Sequence, residues 1–315
     1  MGFNYKIKVT GNKEPIWAEE IDFKLYKDTV KSLYSDDNES FILHTNKIID
    51  KIVPNILEQG LNIVDKLIIL LEARSVCIHP DLKLKIKCQE TGKDFDYTAA
   101  IDKITRNFVD IDPYKSVTVG NITIECSLIK AKDEHYFLTF DKERKYLLML
   151  ASSIDKLNID EQEILFKGFH INERLRIVES LPCQVINAVI QEINLTEKKI
   201  AENKLLTVYS PFTGKLAVEL PLTLDIDANI HFLKLLFTED LGNLHTLTYN
   251  LINKSGFSGE YLDNIAPVEV YIHWAYCQQQ INSENNNASR NQSEIPNKSN
   301  PFMADVLADS PPPMI

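Results

Sequence analysis

The chain of 315 residues has no CxxC pair, no HxH or HxxxH pair, no GxSxG elbow and no dense cluster of Lys and Arg. Each absence excludes a class of function. The five cysteines, Cys77, Cys88, Cys126, Cys183 and Cys277, are odd in number and widely scattered. That pattern suits free thiols in a reducing cytoplasm rather than a disulfide framework. Among the seven histidines, His79 lies two residues after Cys77, and a Cys77/His79/Cys88 zinc half-site lacks a fourth ligand. The reading is therefore a buried thiol and a loop histidine before Pro80, with no metal. Basic side chains number 34 against 45 acidic ones, a net charge of -11, so phosphate backbones are repelled and nucleic acid is excluded as a partner. The most apolar stretch, Leu61 to Leu71, is interrupted by Asp65 and Lys66, which argues against a membrane span. Met1-Gly2-Phe3-Asn4-Tyr5-Lys6 has neither a signal-peptide pattern nor the Ser or Thr of a myristoylation signal.

Enzymatic chemistry finds little support. A P-loop needs GxxxxGK followed by Ser or Thr, but Gly92-Lys93 has Lys87 and Asp94 at the diagnostic places, and Gly214-Lys215 has Tyr209 and Leu216. Both read as turns. Cys183, just after Pro182, and Cys77 are the candidates for a thiol nucleophile with one of the histidines, yet no local nucleophile signature surrounds either. The acidic pairs Asp36-Asp37 and Glu239-Asp240 read as a turn and a solvated helix face. No catalytic, cofactor-binding or metal residue is expected, and no cofactor.

What is present is an ordinary folding composition, 44% hydrophobic and 25% charged. Phe3, Tyr5, Ile7 and Val9 alternate as a strand ending at Gly11. Phe23, Tyr26, Val30 and Leu33 recur at helical spacing within Ile21 to Tyr34. A second helical pattern runs from Phe41 through Ile52 toward Gly60, with Pro54 kinking or splitting it. A third, Ile63 to Arg74, presents Leu67, Leu70 and Leu71 to a core. From Leu82 the period becomes two, and Thr91-Gly92-Lys93 turns the chain into Phe95 and Tyr97 as a hairpin. Val117 to Leu128 adds strand. Helices are expected within Phe137 to Leu157, Asp160 to Phe169 and Asn172 to Ile193. A second hairpin, Leu205 to Leu220, turns at Thr213-Gly214-Lys215, so Gly92 and Gly214 are the expected hairpin-turn residues; the shared triplet fits two related modules or convergent turn chemistry alike.

A long apolar stripe follows in Ile230, Leu233, Leu236, Phe237, Leu241, Leu244, Leu247 and Leu251, read as one helix packing against the body or, through Leu244, against a partner. A last helix carries Val268, Tyr271, Ile272, Trp274 and Ala275. After Cys277 the composition turns to Gln, Asn, Ser and Pro, which cannot offset its ordering entropy, and disorder is expected from 278 to 315. Within it Phe302, Met303, Val306 and Leu307 fall at i, i+1, i+4 and i+5, a spacing that predicts a short docking helix formed in a partner's groove. The fold class is α+β: helical segments interleaved with small antiparallel β-hairpin modules and a disordered C-terminal tail. The expected segments are 1–60, strand and helices; 61–158, helix and first hairpin module; 159–227, helical segment and second hairpin module; 228–277, C-terminal helices; and 278–315, tail.

The order of these features resembles the baseplate hub proteins of T4-type contractile-tailed bacteriophages. The likeness rests on the short first strand, the helix Phe23-Lys24-Leu25-Tyr26-Lys27-Asp28 to Leu33-Tyr34, a second helix, and the leucine-rich run from Leu61 to Arg74-Ser75 before a strand pair. It continues loosely through Leu181-Pro182, the Ile230 to Leu251 stripe and Pro267-Val268-Glu269. Members often carry a CxxCGK knuckle. Here Cys88-Gln89-Glu90-Thr91-Gly92-Lys93 keeps one cysteine and Ser210-Pro211-Phe212-Thr213-Gly214-Lys215 keeps neither, so the resemblance implies turns without metal. It further implies a structural or assembly protein of the tail baseplate, made in the bacterial host cytoplasm and binding other baseplate and hub proteins. The alternatives are a soluble adaptor binding a host protein and, behind it, a cysteine-dependent enzyme.

Overall fold

The computed structural model describes residues 4–10, 14–35, 37–106, 108, 111–140, 144–160 and 162–293, the side chains of 284–293 excepted. β1 (Tyr5–Ile7) and β2 (Ile16–Ala18) form a small antiparallel hairpin that leads into α1 (Phe23–Leu33) and α2 (Asn38–Ile52). Asp22 and Asp37 cap these helices by accepting from Leu25 N–H (2.8 Å) and Glu39 N–H (3.0 Å). α2 stops at Ile52, two residues before Pro54, as the ring of a proline requires.

α3 (Ile63–Cys77) is the central helix. Every residue from Ile63 to Leu71 is buried, Asp65 and Lys66 included, so the apolar stripe expected at Leu67, Leu70 and Leu71 widens to the whole circumference. β3 (Asp81–Lys87) and β4 (Asp94–Ala100) then pair antiparallel from Asp81 opposite Ala100 to Lys87 opposite Asp94. After α4 (Ile101–Arg106), the strands β5 (Lys115–Val119) and β6 (Ile122–Cys126) begin a second sheet. The short α5 (Tyr136–Thr139) and α6 (Lys145–Ser153) intervene before β7 (Ile154–Ile159) and β8 (Gln162–Leu165) complete it in the order β5-β6-β7-β8.

Here the structure corrects two helical expectations. Leu157 belongs to β7 opposite Ile124, and the Asp160 to Phe169 stretch is β8 followed by one 3-10 turn. The apolar spacing alone fits either geometry. What selects the strand is cross-strand pairing: Lys156 lies 3.5 Å from Glu125 and 2.8 Å from Glu163 on its two neighbours. Asp160 makes the turn at φ 54°, and the Asn121 amide donates to its carboxylate at 2.7 Å. β7 also crosses the expected boundary at 158/159, so this sheet joins residues assigned to separate segments.

The predicted Asn172 to Ile193 helix is two, α7 (Ile171–Glu179) and α8 (Cys183–Ala201), divided by Leu181-Pro182. Proline disfavours a helical residue before it and suits the entry of the next helix. β9 (Lys204–Tyr209) and β10 (Leu216–Pro221) form the second hairpin. The long apolar stripe is likewise two helices, α9 (Ile226–Leu236) and α10 (Leu241–Ser255), because Asp240 caps the second by accepting from Asn243 N–H at 3.2 Å. Its side chains are covered by the body.

α11 (Gly259–Asp263) precedes α12, which runs from Pro267 to Ser293. The tail expected from 278 is thus helical to Ser293. Val270, Cys277 and Ile281 anchor α12 on the core, and extending a nucleated helix is far cheaper than starting one, with no Gly or Pro before Pro296 to stop it. The remaining tail, 294–315, with the docking residues Phe302, Met303, Val306 and Leu307, lies outside the described residues. One hydrophobic cluster runs from Tyr5 to Cys277 through all of these elements. No helix among the described residues is long and apolar enough to cross a membrane.

Candidate functional site

The β3–β4 and β9–β10 turns meet at their tips and share one hydrogen-bond plan. In the first, Cys88 N–H donates to Lys93 C=O (2.9 Å) and Gly92 N–H to Cys88 C=O (2.8 Å); in the second, Ser210 N–H donates to Lys215 C=O (2.8 Å) and Gly214 N–H to Ser210 C=O (2.8 Å). Gly92 and Gly214 sit at φ 68° and 70°, the left-handed region that closes both turns. Thr91 and Thr213 then accept from the Lys93 and Lys215 N–H groups at 3.4 Å each. The two turns are copies of one device, down to the threonine.

They face each other. Ser210 Oγ donates to Cys88 Sγ at 3.2 Å, Lys215 reaches Glu90 at 2.6 Å, and the Phe95 and Phe212 rings meet edge to face at 6.0 Å. Cys88 is only 2% exposed but lies at the periphery of the molecule, so burial costs its thiolate little. The hydrogen bonds from Ser210, then from Thr91, hold its pKa down to about 7. Thus the places where a four-thiolate knuckle pair would gather its ligands are occupied by Cys88, Thr91, Ser210 and Thr213, a donor set with one thiolate that does not suit zinc. No group of three or more His, Cys, Asp or Glu able to hold a metal ion occurs among the described residues. Around the second turn, Tyr209, Phe212 and Leu216 are 63%, 48% and 51% exposed, and Tyr209 stands directly opposite Leu216. Large apolar side chains are thus grouped, exposed, on one tip.

A second concentration of chemistry lies inside. Asn62 caps α3 by accepting from Val64 and Asp65 N–H at 3.0 and 2.9 Å, and its amide donates to Asp65 at 2.6 Å. Thr10 donates to the other Asp65 oxygen through N–H (2.7 Å) and hydroxyl (2.6 Å), tying the N-terminal strand region to α3. Burial pushes the Asp65 carboxyl up to about 6 even against these bonds and the Lys130 charge. Lys66 pairs with Glu134, both fully buried. Arg174 of α7 grips Asp133 with two bonds (2.8 and 2.7 Å), and Ser152 donates to the same carboxylate at 2.8 Å. Lys130 reaches Asp155 at 2.6 Å. This seam joins the N-terminal region, α3, the loop before α5, β7 and α7.

The remaining sequence candidates separate. Cys77 is buried, accepts from Ile21 N–H at 3.4 Å, and its thiol is pushed up to about 11 by that burial, which opposes nucleophilic use. The His79 ring accepts from Asp81 N–H at 3.0 Å, so Cys77, His79 and Cys88 find three different partners. Cys183 is exposed at the start of α8 with its thiol free. Leu244 is 2% exposed and packs within the body, the first of the two placements its stripe allows. Sequence reasoning missed the Tyr209, Phe212 and Leu216 group because alternation assigns faces but not what covers them. It noticed Asp65 and Lys66 only as interruptions, although two charges inside a leucine run signal buried partners elsewhere.

A family model described as T4 bacteriophage base plate protein matches residues 3–207. The match runs from β1 into β9, and so takes in the first turn, the polar seam and the four-stranded sheet, and ends before the second turn. No curated protein and no solved structure matches.

Proposed function

This chain belongs to the T4 bacteriophage base plate protein family, and we propose that within the baseplate it acts at the hub or in hub assembly, without catalysis, by binding other tail proteins. As a member of that family it is a structural component of the phage tail. The family match carries the proposal, and the exposed apolar tip at Tyr209, Phe212 and Leu216 supplies a contact surface of the right kind. Aromatic side chains of this sort are enriched where binding energy concentrates. Contacts with the first turn, Ser210 to Cys88 and Lys215 to Glu90, hold that tip in place, which is what a part that holds partners in register needs. Metal-free turns suit this role, since their shape comes from backbone hydrogen bonds.

The test is a Tyr209→Lys/Leu216→Glu chain. Both positions are exposed and face each other in the ladder, so the opposite charges keep the strand pairing, and the fold and melting temperature should match the parent. In infected cells it should fail to enter tails or hub intermediates. Normal incorporation of the variant would remove the tip as the contact.

A further inference from the structure

Because the two turns follow one plan, each residue of one has a counterpart in the other. Cys88 corresponds to Ser210, Gly92 to Gly214 and Lys93 to Lys215 by their hydrogen bonds. The contacts across the turns obey the same correspondence. Lys215 reaches Glu90 at 2.6 Å, and Lys93 stands 5.7 Å from the centre of the Phe212 ring, the residue that takes the place of Glu90. One step before each turn, Lys87 lies opposite Asp94 in the first ladder and Tyr209 opposite Leu216 in the second. Three equivalent places therefore hold Lys87, Glu90 and Asp94 on one tip and Tyr209, Phe212 and Leu216 on the other. The first tip shows that this turn closes and pairs with charged side chains at all three. Folding alone thus does not require apolar ones on the second.

Shape and area select what covers them. A Cβ added at Gly92 or Gly214 meets nothing within 4 Å, so both tips project into open space. Tyr209, Phe212 and Leu216 are each about half exposed, and with about 150–250 Å² on an aromatic side chain the three together offer roughly 300 Å². A stable interface takes about 800 Å² from each side. Two copies meeting tip to tip would bring convex surfaces together and fall well short of that area. A cleft that closes around the tip also covers its flanks, the charged first tip on one side and the Thr207 and Glu219 ladder pair further along the hairpin. We infer that the second turn inserts as a knob into an apolar cleft with a polar rim on a different tail protein. The inference rests on the baseplate reading and adds the form of the partner: concave, apolar inside, and polar where it meets Lys87, Glu90 and Asp94.

The experiment replaces Phe212 by the photoreactive p-benzoylphenylalanine in the full chain, supplied to infected cells that make no other copy of it. After illumination, cross-linked peptides from purified tails and hub intermediates are identified by mass spectrometry. The expected product joins position 212 to apolar residues of one different tail protein, and adding Tyr209→Lys/Leu216→Asp should lower its yield at least about tenfold. A second chain carries the first tip's residues on the second, Tyr209→Lys/Phe212→Glu/Leu216→Asp. It should keep the parent's melting temperature, since Lys93 can then meet position 212 as Lys215 meets Glu90, and it should fail to enter tails. A product joining two copies of this chain overturns the different-protein assignment. No product at 212, or normal entry of the second chain, overturns the knob while leaving the baseplate reading in place. Absence of the unaltered chain from tails and intermediates overturns both.

Discussion

Ser210 donates a hydrogen bond to Cys88 across 3.2 Å, although 122 positions separate them in the chain. That contact aligns two turns of identical backbone plan and lowers the thiol's pKa to about 7, with Ser210 the largest contributor. In Ser210→Ala the donor is gone, and the Cys88 pKa should rise toward the ordinary thiol value of about 8.5. The difference in thiolate absorbance between parent and variant across pH 6 to 9 measures this directly. An unchanged titration would mean that the two turns do not meet as described.

The turn glycines should matter for backbone reasons alone. A Cβ added at Gly92 or Gly214 meets nothing within 4 Å, so Gly92→Ala and Gly214→Ala each test the left-handed φ by itself. Each should cost about 1 kcal/mol in chemical denaturation. A strong zinc chelator should leave the unaltered protein's stability where it was. A fall on chelation would put a metal at the tips.

Lys66 with Glu134 and Arg174 with Asp133 are buried pairs, and such pairs are asymmetric in their energetics. Removing one partner strands a charge and costs about 3–5 kcal/mol, while replacing both with apolar groups of similar volume is close to neutral. Hence Lys66→Met should be strongly destabilising, and Lys66→Met/Glu134→Leu should recover most of the loss. Equal destabilisation by the single and double changes would contradict buried pairing.

Asp65 predicts a pH dependence of opposite sign to the usual carboxylate. Its folded pKa, about 6, is above its ordinary value of 3.8 because burial disfavours the charged form. The native state therefore binds this proton more tightly than the unfolded chain. The contribution to stability is fully present below pH 4 and is lost as pH rises through 6, about 3 kcal/mol at most. Subtracting the stability profile of Asp65→Asn from that of the parent isolates it. The difference should decline between pH 4 and 6; a flat or rising difference would contradict the buried carboxyl.

Local rules made much of this fold legible. Strand alternation with a Gly turn located both hairpins, and apolar spacing located α1, α2 and α3, because those signals are set by each segment's own geometry. The losses came where neighbours decide. Ile154 to Leu165 fits a helix by spacing and becomes β7 and β8 because the β6 edge and the charges around Lys156 reward pairing. Asp240 and Pro182 broke apolar runs whose spacing continued across them. At the candidate site, the repeated Thr-Gly-Lys was visible, but its meaning, two copies of a turn placed tip to tip, required the positions of Cys88 and Ser210 in space. Thr10, which holds Asp65, and Glu134, which pairs with Lys66, lie 55 and 68 positions away in the chain, beyond any local periodicity.

The central claim, that this chain is a structural part of a phage baseplate working at its hub, is tested most directly by composition. Purified tails and hub intermediates from infected cells can be taken apart and measured by quantitative mass spectrometry. The chain should be present in one or both at a fixed ratio to the other baseplate proteins and should survive salt washing. Its absence from tails and intermediates alike would contradict the account.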